Sequence, residues 1–285
     1  MKTHVLPATK LLAPSDRRTH TVRRIIAATV VAALLIVLVQ LQRSGLQSAS
    51  FSTGYALLTA VVMLIALHWR KQAPSLPLGK VSIWLQYHVY LGYLTILLFG
   101  LHVAFRLPSG ILDTALFGVF CIVASSGLYG LYITRAIPRQ LRVLPREVIY
   151  EQIPARLREV REQARRVILA AAGDSEALTG FYKMKLAPFI EERRSLGYYL
   201  YPNSRRRRLL TAQLRELPRY LSEARRSDCR RLEQLLAEKD DLDFHAALQG
   251  RLKVWTYVHI GFSYSLLLLG AVHGLLAHAF SGGVR

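Results

Sequence analysis

Apolar residues along this chain are concentrated in five blocks, which cover 24–42, 51–69, 82–105, 111–135 and 253–280. Each block is close in length to the ~20 residues that an α-helix needs to cross the ~30 Å hydrocarbon core of a bilayer. Gly and β-branched residues are frequent in the blocks, and membrane helices tolerate both. A soluble protein of this length could not bury five such helices. The pattern therefore predicts an all-α integral membrane protein, a bundle of five transmembrane helices.

The first block allows a second interpretation, because a basic leader followed by an apolar stretch also describes a secretory signal peptide. The leader at 1–23 is long for the basic region of such a signal, and the apolar stretch after it is longer than usual. We therefore expect a retained helix. The small residues at 48–50 leave cleavage as the alternative.

The stretch from 137 to 250 is polar and predicts a helical insert between the fourth and fifth spans. Pro145 suits a helix start, and apolar residues then recur at helical spacing from Ile149 to Ile168. The last helical run of the insert is expected to continue directly into the fifth block. The sequence has neither useful strand alternation nor a GxGxxG or GxxxxGK[ST] motif.

Lys and Arg predict the orientation, because cytoplasmic loops of membrane proteins are enriched in them. They are frequent before the first block, between the second and third, and after the fourth, and scarce elsewhere. This alternation predicts four regions. They are a basic cytoplasmic N-terminal segment (1–23), transmembrane helices one to four (24–136), a basic helical cytoplasmic insert (137–250), and the fifth transmembrane helix with a periplasmic or outer C-terminus (251–285). We expect a multi-pass protein of a bacterial-type inner membrane.

The excess of basic residues indicates which partners the chain is expected to bind. The chain has 38 Lys and Arg against 18 Asp and Glu, and the insert contains four consecutive arginines at 205–208. Cations near a bilayer surface bind anionic headgroups, each contributing about 1 kcal/mol. The same surface would also suit an acidic redox partner. Because the basic segments flank membrane spans, we expect membrane lipid, and no nucleic acid, among the partners.

The two cysteines exclude several kinds of cofactor. Cys121 lies in the fourth block and Cys229 in the insert, and neither belongs to a CxxC or CxxCH motif. A thiolate iron–sulfur cluster or zinc knuckle lacks ligands, and covalently attached c-type haem is excluded.

Four histidines lie inside predicted spans, where a polar side chain is costly and usually marks function. His88 and His102 are 14 positions apart in the third block, and His259 and His273 are 14 apart in the fifth. At ~100° and ~1.5 Å per residue, the members of each pair face nearly the same side and lie ~21 Å apart along the axis. The predicted topology makes the two blocks parallel, so His88 comes level with His259, and His102 with His273.

Each level pair can supply both axial ligands of a haem iron. The spacing therefore predicts two haem b groups, an inner one on His88 and His259 and an outer one on His102 and His273. Two axial imidazoles favour electron transfer over oxygen binding. Intramembrane hydrogen bonding or a proton relay is the alternative role for these residues.

Small residues near the histidines would leave helix surface for a flat macrocycle. They are Gly92, Gly100, Gly261 and Gly270. Arg106, four residues after His102, is the candidate cation for the anionic propionates of the outer haem. The alternatives are ordinary glycine packing between membrane helices and an ordinary flanking cation.

Three other histidines have different settings. His245 precedes His259 by the same 14 positions, but its polar neighbours predict a surface residue. His68, at the cytoplasmic end of the second block, is expected at the interface, with a role near the inner haem or a quinone as the alternative. His278 lies about 140° from the face of His273 and is the alternative outer ligand.

The segments HVYLGYLTILLFGLH (88–102) and HIGFSYSLLLLGAVH (259–273) resemble the di-haem transmembrane cytochromes b. His-x13-His on two helices is shared by the cytochrome b of quinol–cytochrome c oxidoreductases and by the ferric reductase and NADPH oxidase membrane domain. The Pro-Glu-Trp-Tyr signature of the first is absent, and no flavin and nicotinamide domain follows the last block. The resemblance implies a cytochrome b subunit whose donor and acceptor are quinone or separate proteins, such as a flavoprotein, an iron–sulfur protein or a multihaem cytochrome.

Three functions are consistent with the sequence. The leading one is an electron-transfer subunit of an oxidoreductase complex, which carries electrons across the membrane. The second is a catalytic quinone or ferric reductase, with quinone bound near Tyr87, Tyr90, Tyr257 or His68. The third is a non-redox transporter or scaffold with intramembrane histidines.

Overall fold

A computed structural model of the chain describes residues 29–34, 36–37, 40, 49–72, 79–173, 175–221 and 223–281. These residues form helices, turns and short connections, and none of them is in a strand. The predicted all-α fold class is confirmed for this part of the chain. The N-terminal segment 1–23 and most of the first block lie outside the described residues. The described positions of that block, such as 29–34, are helical.

From residue 49 onward the described chain forms nine α-helices, numbered here in chain order. They are α1 (Ala49–Gln72), α2 (Val81–His102), α3 (Ile111–Leu141), α4 (Ile153–Ala171), α5 (Glu176–Phe181), α6 (Ala187–Ile190), α7 (Leu196–Leu200), α8 (Arg205–Glu216) and α9 (Glu223–Ser281). Short 3-10 helices cover Tyr150–Gln152 and Leu217–Tyr220, and a π-helical segment covers Tyr182–Leu186.

Four of the described helices are long and apolar enough to cross a bilayer: α1, α2, α3 and α9. They correspond to the second, third, fourth and fifth apolar blocks. Large apolar side chains stay exposed on them, such as Met63 (62% exposed) and Leu268 (67%). Contiguous exposed apolar surface of this kind is typical of a surface that faces lipid or a partner. The chain therefore has four helices suited to spanning a membrane.

The chain divides into two compact units. The first comprises Met1–Gly127 and His259–Arg285, and the second comprises Leu128–Val258. The second unit is longer at both ends than the predicted insert at 137–250. The reason is local packing. Ile133, which precedes the predicted limit at 137, is buried in one apolar cluster with Leu248, near the other limit.

The second unit has its own hydrophobic core. On α4 the buried residues recur at helical spacing, as the sequence pattern indicated: Ile153, Val160, Ala164, Ile168 and Ala171. They form one cluster with residues of α9, including Leu232, Leu235 and Leu236, each of them fully buried. The first part of α9 is thus a core helix of this unit.

A buried ionic network lies beside that core. The guanidinium of Arg194 donates from Nε to Asp243 at 2.6 Å and from NH2 to Asp240 at 2.9 Å. The Nζ atom of Lys239 also donates to Asp243, and Arg194 stacks over the Phe189 ring at 3.8 Å. The side chains of Arg194 and Asp240 are only 8% and 1% exposed. Buried charges require such mutual pairing, because each is costly alone.

His245 is buried, and the prediction of a surface residue was wrong. Its side chain is 3% exposed, and its Nε2 atom lies 2.9 Å from the carbonyl oxygen of Arg146. Gln249 contacts His245 Nδ1 and donates to the carbonyl of Val148 at 2.8 Å. The polar neighbours were misleading because Asp243 is itself buried in the ionic network.

We predict that Arg194→Met destabilises the protein strongly. The substitution removes the guanidinium that bridges Asp240 and Asp243. Breaking a buried ion pair costs about 3–5 kcal/mol. The measurement is thermal unfolding of the purified protein, followed by circular dichroism. Arg165→Met is the matched control, because its partner Glu191 is bound at the surface and exposed pairs contribute little. Equal midpoints for the two variants would contradict the role assigned to Arg194.

Candidate cofactor site

The structure brings the four histidines of α2 and α9 together in the two predicted couples. The rings of His88 on α2 and His259 on α9 have centroids 6.3 Å apart, with planes at 70°. The rings of His102 and His273 have centroids 6.5 Å apart, with planes at 84°. Both couples lie within the first unit. The equal spacing of 14 positions on α2 and α9 thus places histidines opposite one another at two levels.

The separation of the rings fits axial ligation of one metal between them. A metal–nitrogen bond of about 2 Å on each side, with about 1.2 Å from a ring nitrogen to the ring centre, requires about 6.4 Å between centroids. The two couples measure 6.3 and 6.5 Å. A direct hydrogen bond between the two rings would bring them closer than this.

Each of the four rings has its Nδ1 atom next to an oxygen acceptor of another helix. The Nδ1 atom of His88 lies 3.1 Å from the carbonyl oxygen of Leu64, and that of His102 lies 2.9 Å from the hydroxyl of Thr53. The acceptors of the two α9 histidines lie on α3. They are the hydroxyl of Ser126, 2.7 Å from His259 Nδ1, and the carboxylate of Asp113, 3.1 Å from His273 Nδ1.

These contacts determine which ring nitrogen carries the proton. The hydroxyls of Thr53 and Ser126 donate their own protons to backbone carbonyls, at 3.1 Å to Ser50 and 2.9 Å to Val123. Each hydroxyl oxygen can therefore accept from a histidine Nδ1–H. A carbonyl and a carboxylate are acceptors as well. All four rings are thus set as the tautomer in which Nε2 has the lone pair, and a metal-bound histidine usually has this arrangement.

Two glycines beside those hydroxyls allow the rings to approach the neighbouring helices. A Cβ atom at Gly54 would meet His102 Cε1 at 3.2 Å, and one at Gly127 would meet His259 Cε1 at 3.6 Å. Gly54 follows Thr53, and Gly127 follows Ser126. Sequence reasoning missed all four residues. The available signal was a hydroxyl residue followed by glycine inside an apolar block.

The glycines predicted to lie near a macrocycle have different surroundings. A Cβ atom at Gly92 or Gly261 would meet no packed neighbour within 4 Å in the described structure. At Gly270 it would lie 3.8 Å from Leu58, and at Gly100 it would lie 2.8 Å from the ring of Phe105. Gly92 and Gly261 thus leave open space one turn or less from His88 and His259, whereas the small size of Gly100 is needed by the turn after α2.

Arg106 lies beyond the end of α2 and not on a helical turn that follows His102. α2 ends at His102 rather than at 105. Ala104 and Phe105 then adopt left-handed conformations, with φ of 50° and 55°, and the Phe105 N–H donates to the Gly100 carbonyl. Arg106 is exposed beyond this turn. Its helical spacing from His102 therefore gives no support for a propionate contact.

Two further described histidines of the first unit, His68 and His278, are members of neither couple. His278 is exposed, and the ring that faces His102 is that of His273. The ring of His68 on α1 packs edge-on against Tyr264 at 6.1 Å and lies 2.9 Å from the side-chain nitrogen of Gln72. Trp69 donates to the Tyr264 hydroxyl at 2.8 Å. His68, Trp69, Gln72 and Tyr264 thus form a polar and aromatic group.

An apolar core lies beside the couples and helps to hold their helices. Phe99 of α2 stacks on Phe120 of α3 at 3.7 Å between centroids, and Val61, Ile65 and Leu266 are buried with them. Leu266 is midway along α9 between His259 and His273. A region of this kind excludes water and keeps the local dielectric low.

The donor set suits haem better than a bare metal ion. Within the described part of the chain, no group of three or more His, Cys, Asp and Glu residues could hold an ion. A bare zinc or di-iron centre needs such a group. A haem iron receives four nitrogens from its macrocycle and needs only two axial protein ligands, and each couple offers two.

We predict that Gly54→Ala disturbs its couple more than Gly127→Ala does. The added methyl would lie 3.2 Å from the His102 ring, which is tighter than normal packing, but 3.6 Å from the His259 ring, which is an ordinary contact. After each variant has been reconstituted with haem, we expect Gly54→Ala to change the visible absorption spectrum more than Gly127→Ala does. Gly92→Ala, in open space, is the neutral control. The opposite order of the two effects would contradict the packing described.

These features arise from the chain's own geometry: two facing couples of histidines, four oriented rings and an apolar core. Comparison with known proteins does not add a relative of this chain. No protein-family model, no curated protein and no solved structure matches this chain.

Proposed function

We propose that this chain is a b-type di-haem cytochrome subunit that transfers electrons across a membrane within an oxidoreductase complex. His88 and His259 would hold one haem b, and His102 and His273 the other. The observation that supports this best is the shared orientation of the four rings. All have Nδ1 against an acceptor, and both couples have the centroid separation that two axial ligands require.

The residues around each couple have separate tasks in this proposal. A haem with two imidazole ligands supplies a one-electron couple of ferric and ferrous iron, with no axial position open to oxygen. Leu64, Thr53, Ser126 and Asp113 hold the Nδ1 protons and so aim Nε2 towards the metal. Gly54 and Gly127 make room for the rings, and the core around Phe99 and Leu266 keeps water out.

The proposal includes a topology and a set of partners. Five spans, with the first block as the additional one, place residues 1–23 and the 137–250 insert in the cytoplasm by the distribution of Lys and Arg. The C-terminus is then on the outer side of a bacterial-type inner membrane. The basic insert suits anionic lipid. Donor and acceptor are separate redox proteins, such as a flavoprotein, an iron–sulfur protein or a multihaem cytochrome, or else quinone.

A quinone-reducing subunit is the second candidate function. It is favoured by the polar and aromatic group of His68, Trp69 and Tyr264, in which the indole donates to a tyrosine hydroxyl at 2.8 Å. Such groups can bind a quinone ring, although aromatic residues are also common at membrane interfaces. Slower re-oxidation of the haems by quinone in the presence of a quinone analogue would favour this function over a pure conduit.

We predict that the purified protein contains about two haem b per chain and that His88→Ala and His273→Ala each reduce this number. Loss of one axial nitrogen weakens only the centre to which the residue belongs. A pyridine haemochrome assay, normalised to protein, measures the content. His278→Ala is the matched control, because this histidine is exposed and its ring belongs to neither couple. Unchanged haem content in both ligand variants would refute the assignment.

We predict a strongly anisotropic low-spin electron paramagnetic resonance signal from the oxidised protein. Each imidazole interacts with the iron d orbital perpendicular to its own plane. The planes in the two couples are 70° and 84° apart, so the two orbitals are affected almost equally. Near-equal orbital energies increase the anisotropy. An ordinary rhombic signal, as parallel planes give, would contradict the ring geometry.

A further inference from the structure

The acceptors that hold the four Nδ1 protons differ in charge. At the His88–His259 couple both acceptors are neutral, namely the Leu64 carbonyl and the Ser126 hydroxyl. At the His102–His273 couple one acceptor is the neutral Thr53 hydroxyl and the other is the carboxylate of Asp113, at 3.1 Å from His273 Nδ1. Among these four contacts, Asp113 supplies the one acceptor with a formal charge.

Asp113 lies at the N-terminal end of a helix. It lies in the first turn of α3, whose N-terminus carries a positive partial charge. Its side chain is 50% exposed. A carboxylate that accepts from a ligand N–H draws the proton towards itself and makes the imidazole more basic.

We infer that Asp113 tunes the His102–His273 centre through His273 and makes it the centre of lower reduction potential. A more basic axial imidazole donates more electron density and stabilises ferric iron over ferrous iron. The negative charge close to the ring acts in the same direction. The neutral acceptors of the other couple have a weaker effect of this kind. The inference rests on the proposed di-haem function and adds a reason for the two centres to be unequal.

Asp113 is a positioning residue in this account, since it acts on the metal only through His273. A purely structural role would be to fix the orientation of the His273 ring. That role needs an acceptor oxygen but no charge. Asn keeps the shape and an acceptor oxygen and removes the charge, so Asp113→Asn separates the two roles.

The experiment is a potentiometric titration of the purified full-length protein, followed by the α-band absorbance of the haems. With Asp113→Asn we expect two haems per chain, an upward shift of the lower midpoint potential, and no change in the higher one. Asp113→Glu should restore the lower midpoint towards the original value. Ser126→Ala, which removes a neutral acceptor at the other couple, is the matched variant and should shift its midpoint less.

The outcomes separate the inference from the function on which it rests. Two haems whose midpoints are both unaffected by Asp113→Asn, or a shift confined to the higher midpoint, overturn the inference and leave the cytochrome assignment intact. An unaltered protein that binds no haem when haem is supplied overturns the assignment and the inference together. A shift of the lower midpoint with unchanged haem content supports both.

Discussion

Each histidine of the two couples needs a hydrogen-bond acceptor for its second ring nitrogen and neighbours that fix the orientation of its ring. Inside an apolar bundle this requirement is strict, because an unsatisfied polar atom there is costly. In this chain the requirement is met by helices that contribute none of the four histidines. α1 supplies the acceptors for the two histidines of α2, and α3 supplies those for the two of α9. These four contacts link α1 to α2 and α3 to α9.

The repeated element is a pair of helices rather than a single one. A helix with two histidines lies beside a helix with a hydroxyl residue and a following glycine, as with Thr53–Gly54 and Ser126–Gly127. The hydroxyl directs the proton and the glycine removes the side chain that would collide with the ring. The apolar packing of Phe99, Phe120 and Leu266 then holds the helices at the spacing that the rings require.

The second unit is stabilised by different interactions. Its core is an ordinary amphipathic arrangement, in which α4 buries one face against the first part of α9. Its buried charges are paired with one another, with Arg194 between two carboxylates. The described residues of this unit include no facing pair of histidines, and the proposed chemistry belongs to the first unit. The basic character of the insert is a property of its surface and bears on partners and lipid.

The sequence by itself determined the helical class, the four apolar helices in the described chain, and the pairing of His88 with His259 and of His102 with His273. These depend on local periodicity, since 14 positions return a helix to nearly the same face. Tertiary structure alone decided the rest. It placed Leu64, Thr53, Ser126 and Asp113 on the rings, ended α2 before Arg106, and buried His245. Contacts between helices, and the point at which a chain turns back, depend on residues far apart in the sequence, which no spacing along one helix can report.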